Sequence, residues 1–438
     1  PARVDRLQAR VRELERALEG LRHRAAAEEV ERLVQSAQEV DGVRVVEFAA
    51  YAAGPMVGKY LANFGATVVH VESRTRQDGL RTNYPPFKDN RPDPDAAGWF
   101  AFCNDTKYSV TLNLKHPRAR PVAERLVRWA DVLIENYAPG VMARLGLGYE
   151  AVRAHNPRIV YLSSCNMGQT GPRAAQKGFG SQLTSQAGFT HLTGDPEDEP
   201  MLLFGPYIDF VAVGFGLVAV LAGLDYSRRT GRGVYIDLSQ YEAGVHFVLP
   251  AVLDYEANGR ILQRAGNRSP HAAPHGVYPC RGEDRWCAIA VEEDAQWQAL
   301  CRVAGHPEWA TDPRFARATA RKRHEAELDA LLEGWTRQQE AGELAEALQA
   351  AGVPAAPVQR TSELFADPQL RHRDTWRQLA HPVLGSFHYL APPFSLSDSP
   401  ARVSRSPLLG EHNNWFYREV LELSEDEVKE LEAEGVLC

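Results

Sequence analysis

Val43-Arg44-Val45-Val46-Glu47-Phe48-Ala49-Ala50-Tyr51-Ala52-Ala53-Gly54-Pro55 is the stretch on which the fold turns. A β-branched run ends in small residues and then in a proline suited to the first position of a helix, the handover expected in an α/β sheet. Small side chains at that turn let a ligand approach the backbone, and a helix N-terminus favours phosphate. A tight turn that binds nothing has the same composition, and both readings stand. The segment has no G-x-G-x-x-G, so the dinucleotide fingerprint is absent.

The same alternation continues downstream. Short β-branched runs at Thr67 to Val71, Ser109 to Leu114, Val132 to Glu135, Ile159 to Ser163 and Val234 to Leu238 are separated by helix candidates at Pro55 to Asn63, Pro117 to Trp129 and Phe210 to Tyr226. That order predicts an α/β fold with a mainly parallel sheet wrapped by helices over residues 41–240, and a ligand crevice at the strand ends. Beyond about Tyr241 the alternation fades. Turns at Asn258-Gly259-Arg260 and Ala265-Gly266-Asn267-Arg268, strands at Val277 to Pro279 and Trp286 to Val291, and a helical region predict a smaller α+β domain over 241–395. A last segment, 396–438, carries a helix starting at Ser424, with Glu427 in capping-box position. Ahead of the sheet, residues 1–40 place Val4, Leu7, Val11, Leu14, Leu18 and Leu21 on one stripe, predicting an amphipathic helical extension.

Composition narrows the function classes. At 438 residues, 44% of them hydrophobic, the chain supports two or three cores. A net charge of −8 argues against a nucleic-acid partner. The six cysteines form no C-x-x-C pair, which fits reduced thiols in a cytoplasmic protein and no metal site. The apolar run Phe210 to Leu224 falls short of the roughly 20 residues that span a bilayer, so a buried helix and no membrane association are expected.

One charge stands out. Asp209, in Phe204-Gly205-Pro206-Tyr207-Ile208-Asp209, heads that apolar run. A carboxylate there can cap the helix and gain from its dipole, or it can be a nucleophile held over a pocket. Arg74, Arg76 and Arg81 follow the second strand, where guanidinium groups suit phosphate and a solvated loop has the same look. Cys165 has no His and Asp paired with it and reads as a buried structural thiol. His271 and His275 read as turn or surface residues rather than as metal ligands.

Taken in order, Ala53-Gly54-Pro55, Glu135-Asn136-Tyr137-Ala138-Pro139-Gly140, Leu145-Gly146-Leu147-Gly148-Tyr149, Asn156-Pro157-Arg158, Gly168-Gln169-Thr170-Gly171-Pro172, Thr230-Gly231-Arg232-Gly233 and Ala351-Gly352-Val353-Pro354 resemble the class III CoA transferases. That family includes formyl-CoA and carnitine CoA-transferases and the related α-methylacyl-CoA racemases. The resemblance implies a Rossmann-like large domain, a C-terminal segment that returns to it, and an interlocked homodimer or a heteromer with a paralogous subunit. It implies no permanently bound cofactor, with a coenzyme A thioester and a carboxylic acid as substrates and succinyl-CoA as a donor. By the same resemblance Asp209 is the nucleophile, forming an aspartyl anhydride and then an aspartyl-CoA thioester. CoA contacts carry over to Tyr51, Ala52, Ala53, Arg74, Arg76, Arg81, Lys107 and Arg144. The chain departs from the family at Ala52, where formyl-CoA transferase has glutamine, which disfavours formyl-CoA and oxalate as substrates. It also has Phe179-Gly180 where racemases have His-Asp, and racemisation needs that second acid/base. The alternatives are an acyl-CoA racemase or intramolecular isomerase, and a non-catalytic CoA-binding subunit.

Overall fold

The computed structural model describes residues 40–438, so the extension expected over 1–40 lies outside the described residues, apart from Val40. The chain divides into two compact units. The first comprises 40–187, 204–247 and 372–438, and the second 188–203 and 248–371. The small unit thus starts close to the expected 241 but recruits an earlier loop, and the hairpin near residue 380 belongs to the large unit.

The large unit is built on six parallel strands: β1 (Arg44–Phe48), β2 (Thr67–Glu72), β3 (Tyr108–Thr111), β4 (Val132–Glu135), β5 (Val160–Cys165) and β6 (Val234–Ser239). Their spatial order is β3-β2-β1-β4-β5-β6, that of a doubly wound nucleotide-binding sheet. Central strands carry short apolar runs such as Val45-Val46 and Val132-Leu133-Ile134, because helices cover both faces. One face packs Val46, Leu133 and Tyr161 on Leu126 of the helix Ala119–Trp129 and on Phe416 and Leu431 from the C-terminal segment. That segment is tied to the edge of β3, where Asn413 Oδ1 accepts from Thr111 N–H at 2.8 Å. Ser424 caps its last helix, Glu425–Ala433, by accepting from Glu427 N–H at 3.1 Å. The Glu427 carboxylate does not complete the box but reaches Arg125 at 3.5 Å.

The other face packs Val45, Val68 and Ile134 on the helix Ala53–Asn63 and on the long helix Tyr207–Thr230. At 24 residues this helix exceeds the expected run and passes a bilayer's length and apolarity requirement, so length does not exclude a span. One face of it packs on the sheet: a Cβ on Gly216 would come 2.9 Å from Val57, and one on Gly223 would come 2.8 Å from Val160.

The sheet interior is also charged. Lys107 donates to Glu47 at 2.9 Å, and His70 meets the same carboxylate at 2.6 Å, all three side chains being fully buried. Burial alone would raise the Glu47 carboxyl, but Lys107 and His70 outweigh it and hold it below its ordinary value. Lys59 and Asp105 form a second buried pair at 2.7 Å. Breaking one partner of such a pair strands a charge. Lys107→Met is therefore expected to cost about 3–5 kcal/mol. The pairwise change with Glu47→Gln should recover most of it in denaturant titrations.

The small unit pairs β7 (His275–Pro279), β8 (Trp286–Ala290) and β9 (Ala355–Pro357) antiparallel, over a core of Trp297, Leu300, Leu328, Leu332 and Leu348. His275 thus lies in a strand rather than a turn. The hairpin β10 (Trp376–His381) and β11 (Gly385–Leu390) completes the large unit.

Candidate active site

Strand order reverses between β1 and β4, and the loops after those two strands meet there. Asn136, directly after β4, accepts from Ala50 N–H at 2.9 Å and donates to Ala50 carbonyl at 2.7 Å, replacing the strand ladder where it stops. Ala52 and Ala53 are buried, and the helix begins at Ala53, so Pro55 is its third residue rather than its first. The first N–H groups of that helix have no partner within it and face the crevice end of the sheet.

Tyr51 sits in this loop with φ of +63°, a left-handed conformation that costs a non-glycine residue roughly 1–2 kcal/mol. Its N–H donates to both oxygens of Asp78, at 3.0 and 3.1 Å. Hydrogen bonds to a charged acceptor contribute about 1.5–3 kcal/mol, enough to offset the strain. Asp78 also accepts from Leu80 N–H at 2.8 Å, capping the short helix Gly79–Thr82. Burial pushes the Asp78 carboxyl up to about 6. The Tyr51 ring meets Tyr84 at 5.9 Å and Phe179 at 5.7 Å, both edge to face.

Asp209 is the third residue of the long helix, and Pro206 holds the cap position. The carboxylate receives no hydrogen bond and no cation from the described residues, so the expectation of a helix cap is corrected. Burial, unopposed, pushes its carboxyl up to about 7. The other buried carboxylates described in the large unit all have partners: Glu47 has Lys107, Glu72 has Arg81, Asp105 has Lys59, Asp78 has backbone N–H groups, and Glu135 has Ser163 and the Tyr137 N–H. Phe179 precedes the helix Gly180–Gln186, and Gly180 lies against the carboxylate: a Cβ there would stand 2.6 Å from Asp209 Oδ1. The aromatic edge of Tyr51 and Phe179 therefore adjoins the backbone on which Asp209 rests.

The remaining expected contacts divide. Arg74, Arg76 and Arg144 are exposed, the last at the end of the short helix Val141–Arg144. Arg81 and Lys107 are buried and used up. The Arg81 guanidinium is shared among Glu72, Asp95 and the Pro94 and Pro407 carbonyls, and it stacks 3.4 Å over Phe100. All three Lys107 N–H bonds go to Glu47, the Asn104 side chain at 2.8 Å and the Pro55 carbonyl at 2.6 Å. Neither has a donor left for a phosphate, so as CoA contacts both are corrected to scaffold residues.

Sequence reasoning missed Asn136 and Asp78 as neighbours of the site and read Gly180 only as a lost acid. Asn136 was within reach, since it follows β4 at the reversal of strand order. Asp78 and Gly180 act through contacts distant in sequence. Glu135, ending β4, accepts from Tyr137 N–H at 2.8 Å and from Ser163, and burial raises its carboxyl to about 7. Cys165 is buried with its thiol pushed up to about 12, inert as a nucleophile. In the small unit, a cavity of about 810 Å³ is lined by Asn267, Arg268, His275, Ala288, Gln349 and Pro354. His275 Nδ1 meets the Asn267 carbonyl at 2.6 Å, bracing the Ala265–Arg268 turn.

The family model for CoA-transferase family III matches residues 40–413. Succinyl-CoA–D-citramalate CoA-transferase of Chloroflexus aurantiacus is 33% identical over 91% of this chain and 98% of its own length. Succinate–glutarate CoA-transferase of Agrobacterium fabrum is 33% identical over 85% of this chain and 93% of its own. Among solved structures, a CAIB/BAIF family protein from Brucella suis is similar, with a TM-score of 0.80 and 34% identity over 87% of this chain and 99% of its own.

Proposed function

The chain belongs to CoA-transferase family III and is an enzyme that transfers CoA, and from that premise we propose that Asp209 carries the acyl group and then CoA. An Asp209 oxygen attacks the thioester carbonyl of an acyl-CoA, the C–S bond breaks, and CoA leaves as thiolate. The product is an acyl-aspartyl anhydride. The thiolate attacks the aspartyl carbonyl, releasing the donor acid and forming an aspartyl-CoA thioester. The acceptor carboxylate attacks this thioester to give a second anhydride, and the thiolate returns to the acceptor's carbonyl. The new acyl-CoA departs and Asp209 is regenerated. Each intermediate keeps an activated carbonyl, in the anhydrides or in the Asp209 thioester itself, provided water stays away from it.

The observation that carries this reading is the uncompensated Asp209 carboxylate. A desolvated carboxylate without cation or hydrogen-bond donors is a stronger nucleophile than a paired one, and a structural acid would have been paired. The site favours transfer over racemisation, because Phe179 and Gly180 supply no second acid/base beside Asp209. A non-catalytic subunit would gain nothing from keeping such a group.

Tyr51, Ala52 and Ala53 would receive CoA at the crevice, with Arg74, Arg76 and Arg144 as cationic surface for its phosphates. The relatives from Chloroflexus and Agrobacterium are named for succinyl-CoA or succinate and for five-carbon diacids. Those names support succinyl-CoA as donor and a dicarboxylic acid as acceptor. A second chain, identical or paralogous, would cover the long helix, which exposes Phe215, Val218 at 68% and Leu221. An interlocked pair fits that need.

The test is chemical. Protein incubated with succinyl-CoA and treated with hydroxylamine or borohydride is expected to carry the modification on the Asp209 peptide. A panel of dicarboxylic acids then ranks acceptors. Modification at another carboxylate, or none with any acyl-CoA, removes the proposal.

A further inference from the structure

Resting on that reading, we infer that Asp78 is a positioning residue for the transfer site: its carboxylate pins the Tyr51 backbone in the left-handed region and thereby fixes the Tyr51 ring against Phe179, beside Asp209.

Two independent contacts grip Tyr51. From below, its N–H is held by both Asp78 oxygens at 3.0 and 3.1 Å, while Oδ1 also takes Leu80 N–H at 2.8 Å. From the side, the ring lies on bare backbone, because a Cβ on Gly79 would stand 2.5 Å from Tyr51 Cε1 and 2.6 Å from its hydroxyl oxygen. Nothing intrinsic to a tyrosine favours φ of +63°. Without the Asp78 acceptor the residue is expected to relax to an ordinary extended or helical conformation, and the ring swings with it. Strained backbone held by its surroundings at a ligand loop is a pattern associated with preorganisation. The ring's partner, Phe179, is the residue before Gly180, whose missing side chain makes room for the Asp209 carboxylate. Asp78 thus acts on the reaction through the Tyr51 and Phe179 rings, without touching the reacting atoms.

The experiment uses the full chain and its best acyl-CoA and acid pair. Asp78→Ala is expected to lower kcat/KM by about tenfold or more. Asp78→Asn, whose amide oxygen still accepts the Tyr51 N–H, should recover a large part of that loss. In a Tyr51→Gly background, where the left-handed conformation is free, Asp78→Ala should cost no more than about threefold further. An Asp78→Ala enzyme within about twofold of the parent overturns the proposal. So does a loss of equal size in the Tyr51→Gly background, which would mark Asp78 as a helix cap acting independently of Tyr51. If Asp78→Ala does not fold, Gly79→Ala decides, since it displaces the ring with Asp78 intact, and unchanged kcat/KM there refutes the inference. Asp209→Ala is assayed in parallel. Activity retained in that variant sinks the nucleophile itself, whereas activity lost there but kept in the Asp78 and Gly79 variants sinks only the role of Asp78.

Discussion

Asp209→Ala is expected to abolish CoA transfer, with kcat reduced on the order of 10⁴-fold or more, while CoA binding survives. The size follows from chemistry: without the carboxylate no anhydride forms, and the buried carboxylates described in the large unit, Glu47, Glu72, Asp78, Asp105 and Glu135, already have partners. The first-strand loop is built by Asn136 and Asp78, so binding measured by calorimetry should be left nearly intact. Unchanged turnover would remove Asp209 from the mechanism.

The state of Asp209 gives this prediction a pH signature. The nucleophile must be ionised, and burial pushes its carboxyl up to about 7. For the free enzyme, kcat/KM should therefore fall as pH drops below about 7, with a slope of one proton. Stability runs the opposite way. A folded pKa above the unfolded value means the native state binds its proton more tightly. The benefit is complete below the unfolded value of 3.8 and is lost as pH rises to about 7. Asp209→Asn, an uncharged isostere, should melt above the parent at pH 8 and level with it near pH 4. The shift of roughly three units sets an upper bound of about 4 kcal/mol. A variant that is inactive yet more stable would mark Asp209 as a group retained for chemistry at the expense of the fold.

Gly180→Ala is expected to produce the second largest loss. The added Cβ would lie 2.6 Å from Asp209 Oδ1 and 2.7 Å from Pro206 Cβ, closer than either contact tolerates. Either the carboxylate or the helix Gly180–Gln186 must move. A displacement near 1 Å at the nucleophile costs about 10²-fold in rate, and overpacking adds about 1–3 kcal/mol of destabilisation. Gly178→Ala is the control, because its Cβ would have nothing closer than Asn166 at 3.6 Å, an ordinary contact. That variant should stay within about twofold of the parent. Equal activity of the alanine variants at 178 and 180 would mean that the Gly180 contact does not constrain Asp209. The absence of a side chain at 180, which in the sequence looked only like a lost acid, is in the structure the space in which the carboxylate rests.

Legibility of the site differed residue by residue. Asp209 was readable because a lone charge before an apolar run is a local signal. Its environment was not: whether a helix-start carboxylate finds donors depends on which loops pack over it. Arg81 and Lys107 show the opposite error. A basic residue in a loop or at a strand start looks alike whether it faces solvent or a buried acid, and Glu72 at the end of β2 and Glu47 on β1 reach these two.

The amino-acid order by itself determined the alternating parallel sheet, the turn at Ala49 to Pro55 and the candidacy of Asp209, because strand and helix periodicity and turn chemistry are properties of neighbouring residues. Only the tertiary structure decided that Asp209 is left uncompensated, that Gly180 clears its place, that Asp78 holds Tyr51, and that Arg81 and Lys107 are spent inside the scaffold. Those outcomes depend on desolvation and on pairing between groups from 9 to 60 residues apart, and both exist only once the sheet has brought the strand ends together.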